Sequence, residues 1–286
     1  MTAPDKKNVS TIISASWIYT ANNDSELLFD HSLVIKDDKI IDIVAQDKVF
    51  DEYKADDIYK LADHILIPGL INTHTHAAMS LFKGYADDLP LQEWLNEHIW
   101  PAEKKFVSTS FVKDGSVLAL AEMIKAGVTT FNDMYFFPDA TAQAVKEIGI
   151  RGNIGLVVLD FPTNYASDPE DYLVKGFEFR DKWRSDDLIT TAIAPHAPYS
   201  VSDEAFRLVN TYSEELGMNI HMHLHETEWE IADSIESYGV TPIQRLNNLG
   251  IINPSLLAAH CVHLNNQDIT TLTKSKVNIA HNLTIH

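Results

Sequence analysis

From Val9 to about Leu61, apolar and polar residues alternate in short runs, as in TIISASWIYT and SLVIKDDKIIDIVAQ. A period of two marks a strand with one covered face, and Lys36-Asp37-Asp38-Lys39 between two such runs reads as a turn. Residues 1–62 are therefore expected to form a small β-domain. Beyond them the texture changes to continuous apolar runs of strand length: ILIPGLINTH, GVTTFNDM, GIRGNIGLVVL, LITTAIAPHAP, MNIHMHLHE, SLLAAHCVH and KVNIAHN. Between them lie amphipathic stretches such as DGSVLALAEMIKAG, ATAQAVKEIG, SDEAFRLVNTYSEELG and TPIQRLNNLG, several closing on the glycine that a helix C-terminus favours. Strands buried on both faces and joined by helices imply a parallel sheet over residues 63–286.

Periodicity does not say whether that sheet closes. The polar residues do: His74, Asp133, His196, His223, His260 and His281 each fall near the C-terminal end of a predicted strand. In a (β/α)8 barrel that rim carries the chemistry. An open doubly wound sheet gathers its ligands at one switch point instead, and no glycine-rich phosphate fingerprint is present. The expected fold class is α/β, a (β/α)8-type TIM barrel preceded by a small N-terminal β-domain.

Composition narrows the function. The chain has 286 residues, 45% hydrophobic and 22% charged, the profile of a globular protein with one large domain and a small annex. A formal charge of -19 argues against nucleic acid or an anionic membrane as partner, since polyanions are met with Lys and Arg. The single cysteine, Cys261, excludes an intrachain disulfide and fits a reducing compartment. MTAPDKKNVS lacks the apolar core of a signal peptide, and no run approaches 18 apolar residues, so a cytoplasmic protein without a membrane span is expected.

The candidate chemistry lies in the histidines. INTHTH puts His74 and His76 two apart at the end of an apolar run, and residues i and i+2 of a strand project to one side. NIHMHLHET sets His221, His223 and His225 on one parity, with Glu226 just past the strand; spacing does not choose among the three. A third imidazole beside His74 and His76 gives the three-ligand, open-position arrangement of a catalytic zinc-type site. A metal so held lowers the pKa of bound water toward about 7, and a neighbouring carboxylate such as Glu226 can then shuttle protons. Any one histidine taken alone reads equally well as a satisfied rim or core residue. Strand-end histidines recurring along the chain weigh against that reading.

The segments PGLINTHTH, APHAPYS, HLHETEWE, AAHCVHL and VNIAHN resemble the successive strand motifs of the amidohydrolase superfamily, in its cytosine, guanine and triazine aminohydrolase branch. MSLFKGYADDLPLQEWLNEHIWPAEKKF is similar to the substrate loop of the 5′-methylthioadenosine/S-adenosylhomocysteine deaminases. The resemblance implies His74, His76 and His223 as ligands of one divalent metal, zinc in the first instance, with iron and manganese also suited to imidazole and oxygen donors. It implies Glu226 as proton shuttle and His260 as the histidine that polarises the attacking water. His196 then contacts the purine or its ribose, Glu103 accepts hydrogen bonds from the ribose hydroxyls, and Trp94 packs on the thioether side. Arg151 is offered for a homocysteine carboxylate, against the plainer reading of a surface arginine where a helix meets a strand.

The implied reaction is hydrolytic deamination at C6 of the adenine ring of 5′-methylthioadenosine or S-adenosylhomocysteine, giving the inosine product and ammonia. Aminohydrolysis of another ring (guanine, triazine, cytosine) and an inactive homologue that only binds metal are the competing readings. The chain stops at VNIAHNLTIH, where the resemblance calls for an eighth strand carrying a metal-binding aspartate. Asp268 reads as a helix start and Asp133 belongs to the second barrel strand. A truncated gene or an incomplete record is the expectation, above a partner segment supplying the strand; His286 is the remaining makeshift ligand. A barrel without strand eight is expected to leave strands one and seven with open edges. The complete form is expected to be a homo-oligomer acting on a small purine nucleoside.

Overall fold

The structure is a computed structural model and describes residues 5–22 and 24–282; His286 lies outside the described residues. Two compact units divide at Gly69/Leu70. The first holds a four-stranded sheet in the order β3-β2-β1-β4, built from β1 (Lys7–Tyr19), β2 (Leu27–Lys36), β3 (Lys39–Ala45) and β4 (Tyr53–Leu66). β1 and β2 pair antiparallel, as do β2 and β3, and the last pair closes on Lys36 opposite Lys39 with Asp37 in the left-handed region at φ 56°. Val9, Ile12, Val34, Val49 and Tyr53 form the buried side of this unit.

β4 runs parallel to β1 as far as Leu66, opposite Ile18, so residues 63–66 belong to the first sheet and the division falls seven residues beyond position 62. The run ILIPGLINTH, expected as one strand, is two. Pro68 has no N–H to give a ladder, and between β4 and β5 (Leu70–Thr75) the chain leaves one sheet and enters the other.

The second unit holds a seven-stranded parallel sheet in strict sequence order, from β5 through β6 (Val128–Met134), β7 (Arg151–Val158), β8 (Ile189–Pro195), β9 (Ile220–Leu224) and β10 (Leu256–His260) to β11 (Asn278–Ala280). All seven apolar runs become strands. Sequential parallel order is that of a (β/α) barrel, open between β11 and β5 among the described residues. The strands are sealed by helices whose inward faces carry residues such as Leu120, Val145, Phe179, Phe206 and Leu246.

Local signals set the helix ends. Ser108, Asp168, Ser202, Thr227, Thr241 and Asn265 each accept a backbone N–H of the first turn through the side chain, and Gly149, Gly217 and Gly239 close helices in the left-handed conformation. Gly115 serves the site directly. The helix Thr109–Lys125 presses there onto the backbone of Ala78, in the 3-10 turn just after His76, and a Cβ would collide with the Ala78 carbonyl. Among the described residues no helix is long and apolar enough to cross a membrane.

Candidate active site

The strand ends bring six imidazoles together. His74 and His76 project to one side of β5, with ring centroids 4.9 Å apart. The alternate residue, Thr75, points the other way, its hydroxyl donating to Asp133 Oδ1 at 2.9 Å and the Asn132 carbonyl at 3.0 Å. His223 on β9 stands 4.8 Å from His74 and 5.1 Å from His76, and His260 at the end of β10 is 5.2 Å from His74 and 5.3 Å from His223. His196, just after β8, lies 4.8 Å from His223, and His221 lies 5.0 Å from His74.

The hydrogen bonds decide where the protons are. His76 donates Nδ1–H to the Met134 carbonyl at 2.7 Å, and His223 donates Nδ1–H to the His196 carbonyl at 2.8 Å. Burial holds His76 below the ordinary histidine pKa, and burial with four surrounding imidazoles holds His223 well below it, so both rings are neutral near pH 7. A neutral imidazole has one N–H, and here it is spent on the backbone. The two Nε2 atoms, each with a bare lone pair, nevertheless face one another at 3.1 Å. Two acceptors at that distance repel unless a cation shares them, so the donor set fits a metal. His74, His223 and His260 likewise each bring a ring nitrogen within 4.8 Å of the other two.

The alternatives that spacing left open separate here. His225 takes φ 50°, which ends β9 and turns its ring out of the strand's alternation. It is fully buried elsewhere, with Nδ1–H donating to the His263 carbonyl at 2.8 Å. His221 keeps the parity of His223 but reaches His74 Nδ1 through its Nε2 at 2.8 Å, an outer partner for a ligand candidate.

Glu226 follows the turn and returns to the cluster, with Oε1 3.5 Å from His260 Nε2. Burial pushes its pKa up to about 7. Burial, then His76 and His281, hold His260 down to about 4, so this contact is a neutral imidazole beside a carboxyl and not an ion pair. His260 and Cys261 are both left-handed, at φ 74° and 49°. Such backbone is uncommon for residues with a Cβ and concentrates at functional rims.

The opposite wall comes from the segment between β5 and β6. Glu103 lies on the helix Trp100–Phe106, and Tyr135, just past β6, donates its hydroxyl to Glu103 Oε1 at 2.7 Å. Burial pushes Glu103 up to about 7 against the opposing pull of that bond. Asn164, in the loop after β7, donates to the carbonyls of Lys104 at 3.0 Å and Val107 at 2.9 Å, tying down the helix C-terminus. Trp94 is oriented by its indole N–H on the Ala86 carbonyl at 2.9 Å.

One cavity of about 900 Å³ is lined by His74, His76, His223, His260, Glu226, His196, Glu103 and Trp94. Arg151 is not among them. It opens β7, at the end of the sheet away from the rim, exposed and donating Nε–H to Thr130 Oγ1 at 3.1 Å. A strand's first residue cannot serve a site built on strand ends, which corrects its assignment to substrate. Sequence reasoning missed Tyr135, whose only signal was a tyrosine one residue beyond a strand end; His221, one of the three histidines that spacing left equivalent, takes the place of a partner to His74.

Comparisons with known proteins follow the same outline. The chain is 45% identical over 277 residues to the 5-methylthioadenosine/S-adenosylhomocysteine deaminase of Saccharophagus degradans, covering 97% of this chain and 62% of that one. It is 41% identical over 276 residues to the 5′-deoxyadenosine deaminase of Methanosarcina barkeri, covering 95% and 62%. The chain thus spans about three-fifths of the length of these relatives. A crystal structure of an adenosine deaminase from Xanthomonas campestris with bound zinc superposes with a TM-score of 0.94 at 38% identity, over 97% of this chain and 63% of that one. The histidine rim on a sequential parallel sheet and a match to the Amidohydrolase family model over residues 65–286 agree, and this chain belongs to that family.

Proposed function

We propose that this chain carries the metal-dependent deaminase site of an enzyme that hydrolyses the 6-amino group of 5′-methylthioadenosine or S-adenosylhomocysteine to ammonia and the inosine product. The observation that carries the reading is the pair of bare Nε2 atoms on His76 and His223, facing each other beside Glu226 in the cavity that also holds Glu103. His74, His76 and His223 would hold the metal, with His260 at its side; zinc suits so nitrogen-rich a set, and the similar Xanthomonas campestris structure contains it. The chemistry a divalent metal supplies in such a cage is acidified water and stabilisation of developing negative charge.

The chain's own residues do the rest. Glu226, buried and poised near neutrality, takes one proton from the attacking water and gives it to ring N1, then carries the water's second proton to the departing amine, so that ammonia leaves and C6 keeps the oxygen as a carbonyl, the acid/base role of the non-ligand glutamate in zinc deaminases. His260 hydrogen-bonds the attacking water. Glu103, oriented by Tyr135, receives the ribose diol, while His196 contacts the purine or ribose and Trp94 covers the thioether side. A free guanine, cytosine or triazine ring has no diol for Glu103, which favours the nucleoside over the other rings of this family. We assign the protein to the cytoplasm, a reducing compartment that suits its lone buried cysteine.

Ammonia release from 5′-methylthioadenosine by the zinc-loaded protein is the direct test. Glu226→Gln is expected to lower turnover by roughly 10²–10⁴-fold, the usual worth of general acid–base catalysis, with metal content unchanged. Near-normal turnover in that variant would remove Glu226 from the mechanism. Metal binding without turnover on any purine nucleoside would leave the inactive metal-binding homologue as the reading.

A further inference from the structure

Four helices of the second unit begin with a capping residue and a side chain at the third helical position able to reach back. Two do so in the ordinary way. Gln244 Oε1 accepts the backbone N–H of its own cap Thr241 at 3.3 Å, and Asp268 Oδ2 accepts that of its cap Asn265 at 3.1 Å. The helix Glu228–Tyr238 has the same signature, Thr227-Glu228-Trp229-Glu230, and Thr227 Oγ1 accepts the Glu230 N–H at 3.2 Å. The third-position carboxylates of the other two do something else: Asp171, in the helix Pro169–Trp183 capped by Asp168, takes the single N–H of Ser167 at 2.9 Å on the exposed surface. Glu230 passes over the cap and takes the N–H of His225 on Oε1 and the N–H of Glu226 on Oε2, both at 2.9 Å.

These two amides form the turn that aims Glu226. His225 is left-handed at φ 50° and fully buried, so its backbone cannot turn to water for partners. Its carbonyl accepts the Val262 N–H at 2.9 Å, and its ring is held by the His263 carbonyl. The two N–H donors of the turn share one side-chain acceptor, and that carboxyl group is itself 1% exposed. Burying a carboxyl group is costly even where burial pushes its pKa up, here to about 8, and the helix already has its cap in Thr227. Capping alone therefore does not account for Glu230.

We infer that Glu230 is the positioning residue of the proton-transfer carboxylate: by clamping the N–H groups of His225 and Glu226 it fixes the left-handed turn from which the Glu226 side chain reaches the histidine cluster. The inference rests on the reading of Glu226 as proton carrier. Released from the clamp, the turn relaxes and Glu226 shifts, whereas His223, held by its own backbone partner, does not. Displacement of a reacting group by about 1 Å costs on the order of 10²-fold in rate.

The experiment compares zinc-loaded wild type, Glu230→Gln and Glu230→Ala by steady-state kinetics on 5′-methylthioadenosine, metal content, and hydrogen exchange resolved at the amides of residues 225 and 226. Gln is isosteric and keeps one acceptor oxygen for two donors; Ala keeps none. The expected result is metal content equal to wild type, KM within about two-fold and kcat reduced in the order Gln then Ala, reaching roughly 10²-fold. Exchange at the two amides should accelerate while the helix Glu228–Tyr238 stays protected. Unchanged exchange, unchanged kcat, or a kcat loss that tracks lost metal or loss of protection throughout the unit overturns the inference. Should Glu230→Ala fail to fold, the Gln variant decides by the same criteria. A wild type that releases no ammonia from any purine nucleoside brings down the deaminase reading, and exchange at the two amides then decides the clamp alone: acceleration confined to them upholds it, unchanged exchange overturns it.

Discussion

The floor and the wall of the cavity are built on opposite plans. On the floor, the imidazoles stand on strand ends; His76, His223 and His281 each spend Nδ1–H on a backbone carbonyl, those of Met134, His196 and His260, while His74 and His196 pair with the side chains of His221 and Ser200. The orientation of the two facing rings, His76 and His223, is written into the main chain. On the wall, Glu103 rides a short helix outside the sheet, and what orients it is one phenol and one carboxamide, Tyr135 and Asn164. A floor whose facing pair, His76 and His223, is fixed by main chain holds a metal with little reorganisation. A wall fixed by side chains can change its ligand without disturbing the floor. Substitutions on the floor should therefore act on metal and turnover, and those on the wall on substrate affinity.

The largest effect tests the floor. His223→Ala removes one of the two facing Nε2 atoms, and metal content measured after dialysis should fall with turnover, to background. Full metal retention in that variant would mean that the cluster closes without His223, and the floor would not be the rigid cage described.

The wall comes next. Glu103→Gln exchanges an anionic acceptor for a neutral amide that presents one oxygen. Hydrogen bonds to charged groups are worth about 1.5–3 kcal/mol each, so KM for 5′-methylthioadenosine should rise roughly 10- to 100-fold with metal content intact and kcat changed far less. A loss confined to kcat would erase the distinction between floor and wall. Tyr135→Phe deletes only the bond that orients Glu103; at about 1 kcal/mol it should raise KM roughly five-fold. A nucleoside analogue lacking the ribose hydroxyls should bind wild type and both wall variants alike.

The same contrast governs how much could be read before any coordinates. The seven strands and their chemical rim were legible because burial on both faces leaves continuous apolar runs, and strand ends are where polar residues reappear. What failed to show was whatever depends on one backbone angle or on a partner distant in sequence. No periodicity reveals that His225 turns left-handed, so three histidines of equal parity stayed equivalent on spacing. Pro68 hid a change of sheet inside a run that looks like one strand. Tyr135 and Glu103 are 32 positions apart, and a phenol just past a strand end carries no mark of its partner. Arg151 was misjudged for a related reason. Its side chain suits a carboxylate, but its place at the start of β7 sets it at the far end of the strand from the chemistry.

The smallest predicted effect is the sharpest, because it reads the wall carboxylate alone. Burial raises the Glu103 pKa from 4.5 to about 7, so the folded protein keeps a proton that the unfolded chain has lost. Its contribution to stability is then fully present below about pH 4.5 and is lost as pH rises through about 7. Glu103→Gln has no such proton to lose, so the melting temperature of the variant relative to wild type should climb between pH 5 and pH 8. Substrate binding must run the other way, since the diol needs the ionised acceptor. In a Glu226→Gln background, which silences the other cavity-lining carboxyl poised near 7, calorimetric affinity for 5′-methylthioadenosine should strengthen as pH rises through about 7. Adding Glu103→Gln should flatten that profile. Adding Tyr135→Phe should displace its midpoint upward, because the phenol's hydrogen bond favours the anion. A midpoint that ignores Tyr135 would mean the wall is held by something other than the bond between these two side chains.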